Sequence, residues 1–404
     1  MRTAALLVVC SACLVLPPLP AAAQETRAGL AQRQREEKAK QLQPYVRGKV
    51  EAAVFRVEDR YLVERIFNPP RGFFARVGGL PEGSGLNAGP GYRYSTHNWS
   101  ATATGALSIR QSWEVEGRLA FPPPKLPPPT RFVSIGGHYR DLPQEDFWGF
   151  GENSSRFLRT SYALQQTSID VTGGVSPVSW FTVGAGTEYR TVRPGLGEDK
   201  SLPPTQLLFP TAPGLREDID YVRLGTVATI DYTSVLNGPR VGGRYSASYD
   251  KYSDRNLDLF SFDRWDLELQ QFVPIFTSAR MMALRAHVAG TSPDEGNQVP
   301  LYLQPWLGGS HSLRGYRVTR FRDRYSMLLQ AEYRWQVNDF LTGVLFYDTG
   351  KVGASRSDLD FDNMRNDWGF GLRFGFLSIA AMRVEVVFGA EEGHVIALRF
   401  GDVF

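Results

Sequence analysis

The stretch Trp368-Gly-Phe-Gly-Leu-Arg-Phe-Gly-Phe376 alternates between two kinds of residue. Its even positions are Trp, Phe, Leu, Phe and Phe, whereas its odd positions hold glycines and Arg373. Successive side chains of a β-strand point to opposite faces, so the pattern predicts a strand with one bulky apolar face and one small or charged face. The same alternation recurs in residues 325–335, 382–388 and 396–404.

Alternation alone would also fit a soluble sandwich with one wet face. Two features favour a transmembrane β-barrel: large aromatics at the strand ends of the apolar face, and Arg and Glu on neighbouring strands of the polar face. We therefore predict an all-β fold, a 16-stranded antiparallel transmembrane β-barrel over residues 71–404, with short turns at one end and long connections at the other. The predicted strands lie near 72–78, 85–95, 99–107, 112–121, 130–140, 159–174, 178–192, 218–232, 240–252, 261–273, 279–290, 323–337, 340–350, 365–376, 380–389 and 394–404.

The first 23 residues have the pattern of a signal peptide. Arg2 precedes an apolar run over residues 4–16, and Ala21-Ala22-Ala23 offers a cleavage site. Both cysteines of the chain, Cys10 and Cys13, lie in this segment, so the exported protein would have no disulfide and no thiolate chemistry. Lipid attachment at Cys13 is the alternative, although the residues before it fit a lipobox poorly.

Residues 24–70 have helical rather than strand periodicity. Val50, Val54, Val57 and Tyr61 recur at helical spacing, and Pro69-Pro70 ends the pattern. We predict a periplasmic helical segment that is either a solvated linker or is docked at the mouth of the barrel or on a partner. The net charge of +3 for the whole chain is too small to indicate nucleic acid as a partner.

Signals of enzymatic chemistry are weak. No HExxH or GxSxG motif occurs, and the histidines lack the spacing of metal ligands. His287 shares a strand face with Arg285, which fits a wall residue better than a catalytic base. We expect no catalytic residue, no metal site and no cofactor. The histidines are His97, His138, His287, His311 and His394.

The longest predicted connection is rich in glycine and aromatic residues. It contains Pro305-Trp-Leu-Gly-Gly-Ser-His-Ser-Leu-Arg-Gly-Tyr316. A nearby predicted strand contains Phe346-Tyr-Asp-Thr-Gly350, whose Phe346, Asp348 and Gly350 share the polar face. Arg314 on an infolded connection and Asp348 on the wall could pair inside the barrel through two parallel hydrogen bonds. In the alternative, Arg314 stays in solvent and Asp348 pairs with Arg373 or Arg383.

Leu313-Arg-Gly-Tyr316, preceded by Gly308-Gly309, resembles the (V/I/L)RG(F/Y) signature of the BamA/TamA-type outer-membrane assembly and secretion barrels, the bacterial surface antigen superfamily. Phe346-x-Asp348-x-Gly350 is similar to the second barrel motif of that superfamily. Its pattern is also matched by Glu332-Tyr-Arg334, by Gly369-x-Gly371-x-Arg373, by Phe147-Trp-Gly-Phe-Gly151 and by Phe400-Gly401-Asp-Val-Phe404.

The resemblance implies that the sixth long connection folds inward, where Arg314 binds Asp348, and that weakly paired first and last strands form a lateral gate. The implied loop–wall residues are Arg314, Gly315, Tyr316, Phe346, Asp348 and Gly350. The polar residues expected inside the barrel are Glu332, Arg334, Arg373, Arg383, Glu385 and Arg399. The residues implied for the terminal signal and gate, with Phe404 facing lipid, are Phe400, Gly401 and Phe404.

The resemblance also implies insertion or translocation of polypeptide, or of lipid, in a bacterial outer membrane. The expected partners are outer-membrane lipids and a client polypeptide or a periplasmic protein. Members that fold or secrete proteins carry POTRA domains, and no POTRA domain fits the helical pattern of residues 24–70. A passive channel or a structural barrel without activity is therefore the alternative function, and an outer-membrane enzyme is a third.

Overall fold

The computed structural model describes residues 67, 69–125, 128–234, 241–338, 340–376, 380–390, 393–400 and 403–404. The predicted signal peptide over 1–23 and nearly all of the predicted helical segment over 24–70 lie outside these residues. No helix in the described part of the chain is long and apolar enough to cross a bilayer. The described helices are α1 (Thr205–Leu208) and two 3₁₀ turns, Leu301–Leu303 and Arg356–Asp358.

Sixteen strands form one antiparallel sheet in which each strand pairs with the next in the chain, and two further short strands form a separate ladder. The sheet contains β1 (Gly72–Val77), β2 (Asn87–Ser95), β3 (Ser100–Ser108), β4 (Trp113–Phe121), β5 (Arg131–Phe147), β6 (Thr160–Val178), β7 (Phe181–Leu196), β8 (Ile219–Asp231), β9 (Gly242–Asp254), β10 (Phe262–Ile275), β11 (Thr277–Pro293), β14 (Tyr325–Gln336), β15 (Leu341–Gly353), β16 (Arg365–Phe376), β17 (Ala380–Ala390) and β18 (Gly393–Phe400). The separate ladder pairs β12 (Trp306–Leu307) with β13 (Phe321–Arg322).

The predicted number of strands is confirmed, and the largest error in their bounds is at β5. This strand was expected to end near residue 140 but continues to Phe147. Pro143 lies in the added part, and the register with β6 shifts between Leu142 and Glu145. A proline has no N–H for a ladder, so a bulge at this point lets the strand continue past it.

The two faces of the sheet differ in chemistry as the alternation predicted. Trp368, Phe370 and Leu372 on β16 are 42–49% exposed, whereas Arg373 on the other face of that strand is buried. We call the face of Arg373 the inner face, because residues 305–322 pack against it, and the opposite one the outer face. Most residues of the outer face are apolar, whereas arginines and carboxylates are common on the inner face.

The connections between strands alternate in length. One end of the sheet has short turns such as residues 96–99, where the Thr96 N–H donates to the Trp99 carbonyl over 2.8 Å. The other end has the long connections 148–159, 197–218 and 294–324. Between the described parts of β1 and β18, the two terminal strands of the sheet, there is no ladder.

A hydrophobic cluster, which we call the apolar cap, joins the long connections to the strand ends beneath them. Tyr252 and Phe262 stack at its centre with ring centroids 4.6 Å apart and planes 5° from parallel. Leu301 from the longest connection is fully buried against them. The buried members are Leu142, Phe147, Tyr162, Leu164, Val192, Ala212, Leu215, Ile219, Tyr221, Tyr252, Phe260, Phe262, Val299, Leu301 and Leu303.

Replacing Phe262 by Ala should destabilise the protein by about 3–5 kcal/mol, because it removes a fully buried ring and leaves a cavity. The matched control is Phe361→Ala, since Phe361 is 73% exposed in the connection between β15 and β16. The measurement is the denaturant midpoint in detergent, followed by tryptophan fluorescence. Equal midpoints for the two variants would contradict the apolar cap.

Candidate functional site

Residues 305–322, here called the inner loop, leave the long-connection end of the sheet and turn back against its inner face. The β12–β13 ladder closes the base of this loop, with Trp306 opposite Arg322 and Leu307 opposite Phe321. Gly308, next to the ladder, has a φ of +114°, which a residue with a side chain rarely adopts. The chain can therefore leave the ladder sharply and carry residues 309–320 inward.

Arg314 at the tip of the inner loop binds Asp348 on β15. Its Nε donates to Asp348 Oδ2 over 2.6 Å, and its Nη2 donates to Asp348 Oδ1 over 2.7 Å. Neither residue has any solvent exposure. Two parallel charge-assisted hydrogen bonds fix both the distance and the orientation of the loop relative to β15.

The remaining surface of the Arg314 guanidinium is also occupied. Its Nη1 donates to Glu332 on β14 over 2.6 Å and to Glu385 on β17 over 3.4 Å. Its carbon Cζ lies 3.5 Å from the centroid of the Phe346 ring, a cation–π contact. Burial alone would lower the pKa of Arg314, but Asp348 and Glu332 outweigh burial and raise it.

The backbone of the inner loop is held at the same place by residues that the sequence analysis did not nominate. Gly315 N–H donates to Asp367 on β16 over 2.9 Å, and the Gln330 side chain donates to the Ser312 carbonyl over 2.8 Å. Gln330 on β14 and Asp367 on β16 are each directly opposite Asp348 in the ladders on the two sides of β15. The alignment of polar residues between adjacent strands was the signal that could have identified them.

Gly350 provides the space that the inner loop needs near the wall. A Cβ built on Gly350 would lie 2.8 Å from the Leu307 side chain and 2.8 Å from the Met327 carbonyl oxygen. Tyr316 is buried above this contact and meets Phe321 edge to face at 5.1 Å between centroids. The predicted loop and wall residues are therefore brought together.

The predicted polar residues on the inner face form two groups around two carboxylates. Glu332 contacts Arg334 at 2.6 Å and Arg373 at 2.7 Å, in addition to Arg314. The second group has Glu385 at its centre, with Arg383 at 3.2 Å and Arg399 at 3.1 Å. Arg373 and Arg383 thus contact these glutamates. The alternative in which Arg314 stays in solvent does not hold, because Arg314 is buried and binds Asp348.

The inner loop also contacts segments far from Asp348. Thr319 donates to the Asp146 carbonyl at the end of β5 over 3.1 Å, and Arg320 donates to the Ser154 hydroxyl between β5 and β6 over 2.8 Å. Ser310 N–H donates to Glu82, which follows β1. Arg399 on β18 donates to the Arg314 carbonyl over 2.8 Å. The loop therefore connects the first part of the sheet with its last strand.

The expectation that Phe404 faces outward is wrong. Its ring stacks on Phe272 of β10 with centroids 6.3 Å apart, and Cζ of Arg334 lies 5.2 Å above it. Both partners are on the inner face, and His311 Nδ1 meets the Val403 carbonyl at 3.1 Å. Val403 and Phe404 therefore lie against the inner face, and no ladder joins β18 to β1 among the described residues. Gly401 and the side chain of Phe400 lie outside the described residues.

The site contains no arrangement typical of a metal centre. Among the described residues, no group of three His, Cys, Asp or Glu side chains could hold a metal ion. What the geometry provides is a buried contact, rich in ion pairs, between the inner loop and five consecutive strands.

Comparison with known proteins found one matching family model and several solved structures with a similar fold. Residues 239–388 match the model of the Omp85 superfamily domain. The fold is similar to BamA from Haemophilus ducreyi lacking POTRA domains 1–3, with a TM-score of 0.60 and 15% identity over 81% of this chain and 68% of that chain. It is also similar to CdiB from Escherichia coli, with a TM-score of 0.53 and 12% identity over 81% of this chain and 60% of that chain. No curated protein matches the sequence.

Arg314→Ala and Asp348→Ala should each release the inner loop, because removing one partner of a buried ion pair costs roughly 3–5 kcal/mol. The measurement is new cleavage between residues 291 and 322 under limited proteolysis in detergent. The double variant should be little worse than either single one, since one interaction is lost in all three. Arg193→Ala is the control, because Arg193 and Asp218 form an exposed pair at 3.9 Å. Additive effects of the two substitutions would contradict the pairing.

Phe404→Ala and Phe272→Ala should destabilise the protein by similar amounts and be non-additive, since a stacked aromatic pair contributes about 0.5–1.5 kcal/mol beyond its burial. The measurement is the thermal midpoint of each single variant and of the double variant. Phe370→Ala on the outer face is the matched control, with an expected change smaller than either. If Phe404→Ala has no effect unless the protein is in a bilayer, the ring faces lipid after all.

Proposed function

We propose, on the premise that the chain carries an Omp85 superfamily domain over residues 239–388, that it is a closed transmembrane barrel of a bacterial outer membrane and inserts or translocates polypeptide clients. The observation that carries the proposal is the buried pair of Arg314 and Asp348. Both residues lie inside the matched range, and the pair fixes the inner loop where the resemblance requires it.

The chemistry of the outer face supports a place in a bilayer. A soluble monomer rarely exposes a large continuous apolar surface. On this sheet the exposed apolar side chains extend over almost every strand, whereas the arginines and carboxylates are on the inner face. Examples at 40% exposure or more are Val115, Leu119, Ile135, Ile169, Val171, Leu224, Val227, Leu267, Leu269, Leu345, Phe370 and Leu398.

The edges of the sheet support a lateral gate. β1 and β18 share no ladder in the described part of the chain. The inner loop nevertheless contacts both ends of the sheet, through Glu82 after β1 and through Arg399 on β18. Edge strands with unpaired N–H and C=O groups are templates for another strand. A client strand arriving from the membrane would find these groups at the seam between β1 and β18.

The filling of the interior supports insertion through the seam more than a passive channel. The inner loop lies across the inner face, and the apolar cap occupies the end with the long connections. A sixteen-stranded barrel is wide enough for an aqueous pore only when nothing fills it. Lateral delivery into the membrane needs no passage through the capped end.

Purified protein in liposomes should accelerate the folding of a small urea-denatured test barrel, read as protection of that barrel from protease. Arg314→Ala should abolish most of the acceleration, and Arg193→Ala should not. The conductance of the wild-type protein in planar bilayers should be small and intermittent. A steady wide pore together with no acceleration would replace the proposal by the passive channel.

The closed barrel has its own test. Without boiling, the protein should migrate in detergent gels at a position different from that of the boiled form, because strands whose backbone groups are paired around a barrel resist unfolding by detergent. The same gel run with a variant truncated after residue 376, which lacks β17 and β18, is the control. Identical migration of the wild-type protein in both states would count against closure.

A further inference from the structure

A polar cavity lies on the inner face at the short-turn end, away from the inner loop. It has a volume of about 690 Å³ and is bounded by β2, β3, β4 and the turn that follows β4. This volume is within the ~300–1,000 Å³ typical of pockets for small molecules. None of its lining residues belongs to the inner loop or to the apolar cap.

The lining of this cavity combines cationic side chains with hydroxyl groups. Arg93, Arg118 and Lys125 are its cationic residues, and Glu116 is the carboxylate among the lining residues. Four hydroxyl-bearing residues of β2 and β3 complete the polar surface: Ser95, Ser100, Thr102 and Thr104. Arginine, lysine and hydroxyl donors together are the groups that bind phosphate oxygens.

Cationic side chains outnumber carboxylates among the lining residues of this cavity by three to one. Several other guanidiniums of the inner face lie closer to a carboxylate, for example Arg264 with Asp266 at 2.9 Å and Arg285 with Glu268 at 2.6 Å. Arg118, by contrast, approaches Glu116 at 3.5 Å and Asp170 at 3.3 Å, and its side chain stays 39% exposed. Arg76 also shares Glu116, at 3.7 Å.

Lys125 adds a further positive charge at the rim. It lies in the turn after β4, is exposed, and forms no ion pair with any residue in the described ranges. A lysine at a cavity rim can reorient its ammonium group toward an anion at little cost to the fold. Arg118 in the wall and Lys125 at the rim therefore face one space from two sides.

We propose that this cavity binds a phosphate group, either as free phosphate or as the headgroup of a phospholipid that reaches the short-turn end of the sheet. Arg118 and Lys125 neutralise its charge, and the hydroxyls of Thr102 and Thr104 donate to its oxygens. The site is independent of the proposed action on polypeptides, because no residue of the inner loop contributes to it.

Binding is measured by calorimetry on the full chain in neutral detergent and phosphate-free buffer, with inorganic phosphate and short-chain dihexanoylphosphatidic acid as the two probes. Phosphate should bind saturably, and Arg118→Gln should weaken it about tenfold because a charge-assisted hydrogen bond is lost. Lys125→Gln and Thr102→Val should each weaken it severalfold. Lys125→Gln removes no ion pair among the described residues, so it tests the charge at the rim without breaking a contact of that kind.

The control is Arg244→Gln, which removes a half-exposed arginine of β9 outside this cavity and should leave binding unchanged. Tighter binding of the phosphatidic acid than of phosphate would identify a lipid headgroup as the occupant, and equal or weaker binding would identify free phosphate. The proposal is overturned if neither probe binds saturably to the wild-type protein. It is also overturned if Arg118→Gln and Lys125→Gln bind both probes as the wild type does.

Discussion

A guanidinium with no solvent exposure can be accommodated only where carboxylates surround it, and this constraint on Arg314 organises the second half of the molecule. Desolvation of an isolated charge costs several kcal/mol, which an ion pair recovers only with good geometry and further hydrogen bonds. Asp348, Glu332 and Glu385 provide that geometry from three different strands. The positions of β14, β15 and β17 relative to one another are therefore tied to a single side chain.

The carboxylates that compensate Arg314 are themselves held by other groups. Glu332 also binds Arg334 and Arg373, and Glu385 also binds Arg383 and Arg399. Charge inside the sheet is thus arranged as a connected network in which Glu332 and Glu385 each bind more than one arginine. Such networks strengthen each bond through mutual polarisation, and they make any single unpaired member costly.

The sequence predicted those features that depend on local alternation. It did not predict contacts that depend on the register between neighbouring strands. Sixteen strands and the inward direction of Asp348, Glu332 and Arg373 follow from the period of two. Asp367 and Gln330 were missed because their role depends on which residue of a neighbouring strand they face. The prediction that Phe404 faces outward was wrong, because the alternation of β18 is enforced only within the ladder of that strand.

The order of the binding partners along the chain has a consequence for assembly. The side chains that bind Arg314, Gly315 and the Ser312 carbonyl all come later in the sequence than Arg314, whereas Glu82 and Arg285, which bind Ser310 and His311, come earlier. The later side chains are Gln330, Glu332, Asp348, Asp367, Glu385 and Arg399. A sheet that lacks its last strands therefore offers the loop a site with too little negative charge, and burial of the guanidinium stays unfavourable. We therefore expect the tip of the loop to be buried only after the last strands have joined the sheet, so that strand assembly and loop burial are coupled.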